Sequence, residues 1–154
     1  MEQQEIRTLL EQVAEGKMPV EQAMLRLKEQ PFEDLGYAKL DHHRALRQGA
    51  AEVIYGAGKT AEQIRGIAEA MQAHGQKRIL ITRLSPEKAG ALSGLAEFTY
   101  YEMGSVGIVG QMPEPDGRGT IVVATGGTSD MPVAEEAALT AEILGNKVER
   151  LYDV

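Results

Sequence analysis

The chain has no cysteine, which removes disulfide bonds, thiolate metal sites and cysteine nucleophiles from anything these 154 residues do unaided. It has no apolar run of membrane-spanning length, and its opening, MEQQEIRTLLEQ, is too acidic for a signal peptide. A soluble cytoplasmic protein with no membrane partner is the expectation. Basic residues are in deficit: 16 Lys and Arg stand against 23 Asp and Glu, for a formal net charge of -7. A nucleic-acid backbone calls for a basic face, so that partner is not expected. A small anion stays open, because a few local amides or cations outweigh a diffuse net charge. A complete phosphate loop is also lacking. GAGKT at 56–60 has the ending of one, but Gly56 stands too near Gly58 for GxxxxGK[ST], and ATP hydrolysis is not expected.

What is present suits a globular protein of one domain, or one and a fragment: 43% hydrophobic and 25% charged residues. EIRTLLEQVAEG sets Ile6, Leu9, Leu10 and Val13 on one helical stripe, with Gly16 as the stop. MPVEQAMLRLKEQ follows, with Pro19 opening a helix and Ala23, Met24 and Leu27 facing inward. This predicts a helical hairpin over 1–36, suited to packing or assembly, with 31–37 as a loop. From 37 to 118 the pattern turns to a small α/β region. AEVIYG reads as a strand, and the next helix carries a Thr60/Gln63 capping box and the stripe Ile64, Ile67, Ala68, Met71. KRILITRL reads as a buried strand, a helix runs from Ser85-Pro86 through Leu95, and two strand pieces flank Gly104. QMPEPDGRG is the clearest boundary.

Beyond it, TIVVAT reads as a strand buried on both faces, followed by GGTSD, a helix to Gly145 and the strand KVERLY. Residues 119–154 therefore form one β-α-β unit, too small to bury its own core, and the chain looks cut short or dependent on a partner surface. The turn has a plain use. Gly126 and Gly127 permit unusual backbone angles and let a ligand approach, while the helix start offers unpaired amides and its dipole. With the hydroxyls of Thr128 and Ser129, this suits a phosphate. Asp130 would repel that phosphate, and fits a ribose hydroxyl or a group whose protonation changes during reaction. The competing reading is that Ser129 and Asp130 simply cap the helix, worth about 1 kcal/mol.

GTSD followed by MPVAEEAALTAEILG and V–LYDV closely resembles the LarB family of nickel-pincer nucleotide cofactor synthesis. LDHHRALRQG and VIYGAGKTAEQI upstream resemble that family's N-terminal region, so the likeness covers nearly the whole chain. The C-terminal part is similar to PurE-type carboxylases, whose glycine-rich turn is matched by Gly126, Ser129 and Asp130, with Gly127 standing where those enzymes have serine. The resemblance implies an α/β protein whose N-terminal regions lead into an incomplete, Rossmann-like, parallel-sheet domain of three layers. It implies that the intact protein carboxylates the pyridinium ring of deamido-NAD, with carbon dioxide or bicarbonate, and hydrolyses the phosphoanhydride to release AMP. No tightly bound cofactor is implied, magnesium is not indicated by the sequence, and a homo-oligomer is expected at full length. In the family the pattern continues through a GVAG-His-Arg segment, and the cysteine proposed to attack the ring lies in that further part. An electron-poor pyridinium does not attack carbon dioxide until a nucleophile adds to it. These residues are therefore expected to hold part of a nucleotide without turning it over.

Other residues carry weaker signals. Asp41, Arg44 and Arg47 belong to a D-x-x-R-x-x-R pattern that recurs in the family, whose arginines suit a phosphate or carboxylate; a solvated, salt-bridged segment is the alternative. His42 and His43 are adjacent and have no third ligand at a useful spacing, so no metal is assigned. Lys59 and Thr60 open a helix and would meet an anion there, or serve as surface and cap. Tyr100 and Tyr101, beside Glu102, suit strand packing, with the lining of a pocket as the alternative, while Glu135 and Glu136 suit the dipole of a first helical turn. Two rival functions remain on these grounds: a non-catalytic nucleotide- or phosphosugar-binding module, and an oligomer-assembly element.

Overall fold

The computed structural model describes residues 3–29, 32–41 and 53–154. The chain forms two compact units: an N-terminal one that also takes in Glu69–Gln76, and a second made of Val53–Ala68 and Lys77–Val154.

In the first unit, α1 (Gln3–Ala14) and α2 (Val20–Glu29) make the expected hairpin, closed at Gly16 with φ +72°. Its core is Leu9, Met18 and Ala23, backed by Val13 and Leu27. The buried stripe is narrower than the sequence predicts, since Leu10 is 55% and Met24 51% exposed. Each follows a core residue directly, and one step along a helix turns a side chain about 100° away from its neighbour. The stretch expected to be a loop contains β1 (Phe32–Asp34), paired antiparallel with β2 (Lys39–Asp41). Three-residue strands are too short to show a period of two.

The second unit holds a four-stranded mixed sheet of order β3-β4-β6-β5. Its strands are β3 (Val53–Tyr55), β4 (Ile79–Thr82), β5 (Phe98–Tyr101) and β6 (Val106–Val109). β3 and β4 are parallel, while β6 runs antiparallel to both β4 and β5. The connection from β3 to β4 is α3 (Ala61–Ala73), which buries Ile64, Ile67, Ala68 and Met71 as its stripe predicts. Next comes α4 (Pro86–Leu92), capped by Ser85 and three residues shorter than expected.

A separate parallel pair, β7 (Thr120–Ala124) and β8 (Lys147–Leu151), flanks α5 (Met131–Ile143). Leu139 and Ile143 of α5 pack with Leu80, Val106 and Ile108 of the mixed sheet. On the side of β8, Arg150 reaches Glu135 and Glu142 of the same helix. One helix thus serves two sheets, with Leu139 and Ile143 toward one and Glu135 and Glu142 toward Arg150 of the other. TIVVAT is a parallel strand as expected, but it is not buried on both faces: Val122 is 52% exposed on the face away from α5, and Ile121, on the helix side, is still 42% exposed. The protein is α/β, with parallel and mixed sheets.

Candidate functional site

The GGTSD turn is anchored by the residue before it. Thr125 is buried, its amide donates to the Leu151 carbonyl at 3.0 Å, and its own carbonyl accepts from the Val154 amide at 3.0 Å. Its Oγ1 accepts the Asp153 amide at 3.1 Å. A polar residue closing an apolar strand was the available signal for it in the sequence. Neither glycine of the turn takes the left-handed region; Gly127 sits at φ 177°, extended backbone open to any residue. The expectation that they supply unusual angles is therefore corrected. What they supply is room: a Cβ on Gly127 would meet nothing within 4 Å, and one on Gly126 only the Val154 carbonyl at 3.8 Å. Thr128, Ser129 and Asp130 form one 3-10 turn leading directly into α5, and all three are exposed.

The three long-range helices of this unit begin differently, and the difference bears on the turn. At α3, Thr60 Oγ1 accepts the Gln63 amide at 3.2 Å and Gln63 Oε1 accepts the Thr60 amide at 3.0 Å, completing the expected capping box. The Glu62 carboxyl is held below its usual range by its own amide and by the Thr60 hydroxyl. At α4, Ser85 caps the Lys88 amide at 3.4 Å, and Glu87 is held low by the Ser85 hydroxyl and its own amide. Both starts already carry an internal carboxylate. At α5 there is no side-chain cap bond: Asp130 stands at the cap position, in a 3-10 turn whose Thr128 carbonyl accepts the Met131 amide. The capping role expected of Asp130 is not formed, and the sequence alone does not reveal this, because Ser-Asp before a helix is the commonest capping signal.

Glu135 and Glu136 lie beyond the first turn of α5 and are held by ion pairs rather than by the helix dipole. Glu136 pairs with Arg83 at 3.0 Å. Glu135 accepts Arg150 Nε at 2.9 Å and the Tyr152 hydroxyl at 2.7 Å, while Arg150 also donates to Glu142 at 2.6 and 2.8 Å. Burial alone would raise the Glu135 carboxyl, but Arg150 and Tyr152 outweigh it and hold it below the usual range. Burial, with Glu135 beside it, pushes the Tyr152 phenol up to about 12. A cleft of about 350 Å³ opens over this network, lined by Tyr101, Met112, Leu139 and Val148 among others. Of its charged groups, Glu135, Glu142 and Arg150 already satisfy one another.

Lys59 Nζ donates to the Tyr55 carbonyl at 3.3 Å. Lys88 reaches the Gly56 and Ala57 carbonyls at 2.9 and 3.2 Å. The end of β3 and the GAGKT loop thus turn carbonyls toward two lysines. Tyr100 donates to the Leu84 carbonyl at 3.0 Å, and burial raises its phenol. Arg44, Arg47, His42 and His43 lie outside the described residues, and of Asp41 only the backbone is described. Among the described candidates, the structure brings together Gly126, Gly127, Thr128, Ser129 and Asp130; Lys59 belongs to a different loop.

The family model of the LarB/PurE-like N-terminal domain matches residues 32–111, more than half of the chain. The GGTSD turn lies outside that match. An uncharacterized protein of Methanocaldococcus jannaschii is 30% identical over 175 aligned positions, which cover 97% of this chain and 61% of that protein. The chain therefore spans less than two thirds of that relative's length. On the domain match, which takes in the mixed sheet and the helices that cross it, the chain belongs to the LarB family.

Proposed function

We propose that the chain is part of a LarB-type enzyme of nickel-pincer cofactor synthesis, and that the GGTSD turn holds the mononucleotide phosphate of deamido-NAD. The domain match supports a carboxylase-related role. The observation that carries the turn's part is its lack of any side-chain cap bond, with two uncrowded glycines before the 3-10 turn that leads into α5. In this reading the amides of the turn and the hydroxyls of Thr128 and Ser129 donate to phosphate oxygens. Asp130, at the same turn, serves the reacting part. The chemistry itself has two steps. A nucleophile adds to the pyridinium, a ring carbon then bonds to carbon dioxide, and loss of a ring proton and of the nucleophile restores aromaticity. Water attacks the phosphoanhydride and AMP leaves. The cysteine that the family resemblance implies as nucleophile is not among these residues, which contain no thiol.

The test uses the full-length protein, incubated with deamido-NAD and labelled bicarbonate. Release of AMP together with label in the pyridinium product is the expected result. Binding of the dinucleotide without either product would instead favour a non-catalytic nucleotide-binding module.

A further inference from the structure

The end of β8 places an unused carboxylate beside the glycine turn. Asp153 follows the strand by two residues and takes φ +60°, the left-handed region uncommon for anything but glycine. The bonds described for Thr125 hold the backbone of residues 151–154 against the base of the turn. Among the described residues, the Asp153 side chain is exposed and has no hydrogen bond or ion pair. Its backbone is therefore fixed by a buried threonine while its carboxylate is left for solvent or a ligand.

We propose that Asp153 reads the vicinal diol of a ribose whose phosphate rests on the GGTSD turn. This rests on the nucleotide reading above and extends it to a residue on the second strand. An ionised carboxylate only accepts hydrogen bonds, and its two oxygens match two neighbouring hydroxyl donors. It would repel a phosphate, so it belongs one sugar away from the turn's amides. In β-α-β units that bind nucleotides, the first strand leads into a glycine turn under the phosphate and an acid beyond the second strand takes the ribose. β7, Gly126-Gly127, α5, β8 and Asp153 follow that order. With the diol assigned to Asp153, Asp130 is left for the reacting group.

The experiment is calorimetric titration of the chain with ribose 5-phosphate, 2-deoxyribose 5-phosphate and inorganic phosphate. The wild-type chain should prefer the ribose compound by about tenfold, the scale of a charge-assisted hydrogen bond. Asp153→Gly suits the left-handed backbone and removes the carboxylate; it should bind both sugars equally and leave phosphate affinity unchanged. Asp153→Asn keeps a residue tolerant of that backbone, and should lose most of the preference even if the glycine variant folds poorly. A preference that survives in either variant, or is missing in the wild type, overturns the proposal while leaving the nucleotide reading in place. Failure of all three compounds to bind overturns both.

Discussion

Thr125 and Ser129 are four residues apart and do different work. Thr125 is the buried polar side chain among the described residues, and its hydroxyl oxygen serves the Asp153 amide. Thr125→Val keeps the branched shape but leaves that amide without its acceptor, which should cost about 1 kcal/mol. Hydrogen exchange should show the Asp153 amide losing protection first. Ser129 makes no capping bond, so Ser129→Ala should leave the melting temperature unchanged. In the full-length protein the same change should weaken nucleotide binding by about 1 kcal/mol; a fall in melting temperature at constant affinity would restore the capping role. Asp130→Asn should likewise fold normally while turnover falls, and wild-type carboxylation by that variant would make Asp130 structural. At this scale the sequence showed the turn, because its glycines and hydroxyl residues are adjacent. It did not show Thr125 or Asp153, whose partnership spans 28 positions and exists only once β8 has paired with β7.

The elements around the turn were mostly legible where periodicity was strong, as in α1 and α3, while α5 was legible from the turn before it and Gly145 after it. The mixed pairing of β6 was not, since strand direction is set by the tight turn at Gly104 and not by side-chain pattern. That glycine has a second duty: a Cβ there would sit 3.1 Å from the Glu136 amide and 3.3 Å from the Glu135 carbonyl carbon. Both neighbours are helix backbone, which yields little, so Gly104→Ala should push on the second turn of α5 and cost about 1–3 kcal/mol. Thermal melting reads that cost, and reduced nucleotide affinity would show that the shift reaches the turn. At the other side of α5, the Arg150, Glu135 and Tyr152 network ties β8 to the helix. Glu135 has a lowered pKa, so its contribution is full at neutral pH and disappears as pH falls through that lowered value. Tyr152 is raised to about 12. Its contribution is present below the ordinary phenol value of about 10 and is lost as pH climbs from there through the folded value. Melting temperatures measured across pH should show that alkaline loss in the wild type and a smaller one in Tyr152→Phe.

For the whole molecule the question is what the final β-α-β unit does with its uncovered surface. α5 is well placed, since Ala134, Ala138, Leu139 and Ile143 are buried. The strands beside it are not. Register sets Val123 opposite Arg150, which bonds to the helix, so Val122, Ala124, Glu149 and Leu151 form the opposite face. On that face Val122 is 52% and Leu151 46% exposed, and Ile121, on the helix side, is still 42% exposed. Each large aliphatic side chain fully covered contributes about 1.5–3 kcal/mol, so this pair of strands forgoes much of the burial that would order it. Parallel strands are ordinarily covered on both faces, and open edges invite further pairing. We therefore expect amides of β7 and β8 to exchange faster than those of the four-stranded sheet, and the 154-residue chain to self-associate as concentration rises. A chain that sediments as a monomer at all concentrations, with equal protection in both sheets, would refute this. Chemistry should fail for a separate reason. Carboxylation requires a nucleophile on the ring, and the chain has no thiol to supply it. Incubated with deamido-NAD and bicarbonate, the 154-residue chain should release no AMP and form no carboxylated pyridinium, and catalytic formation of both would show that another group adds to the ring.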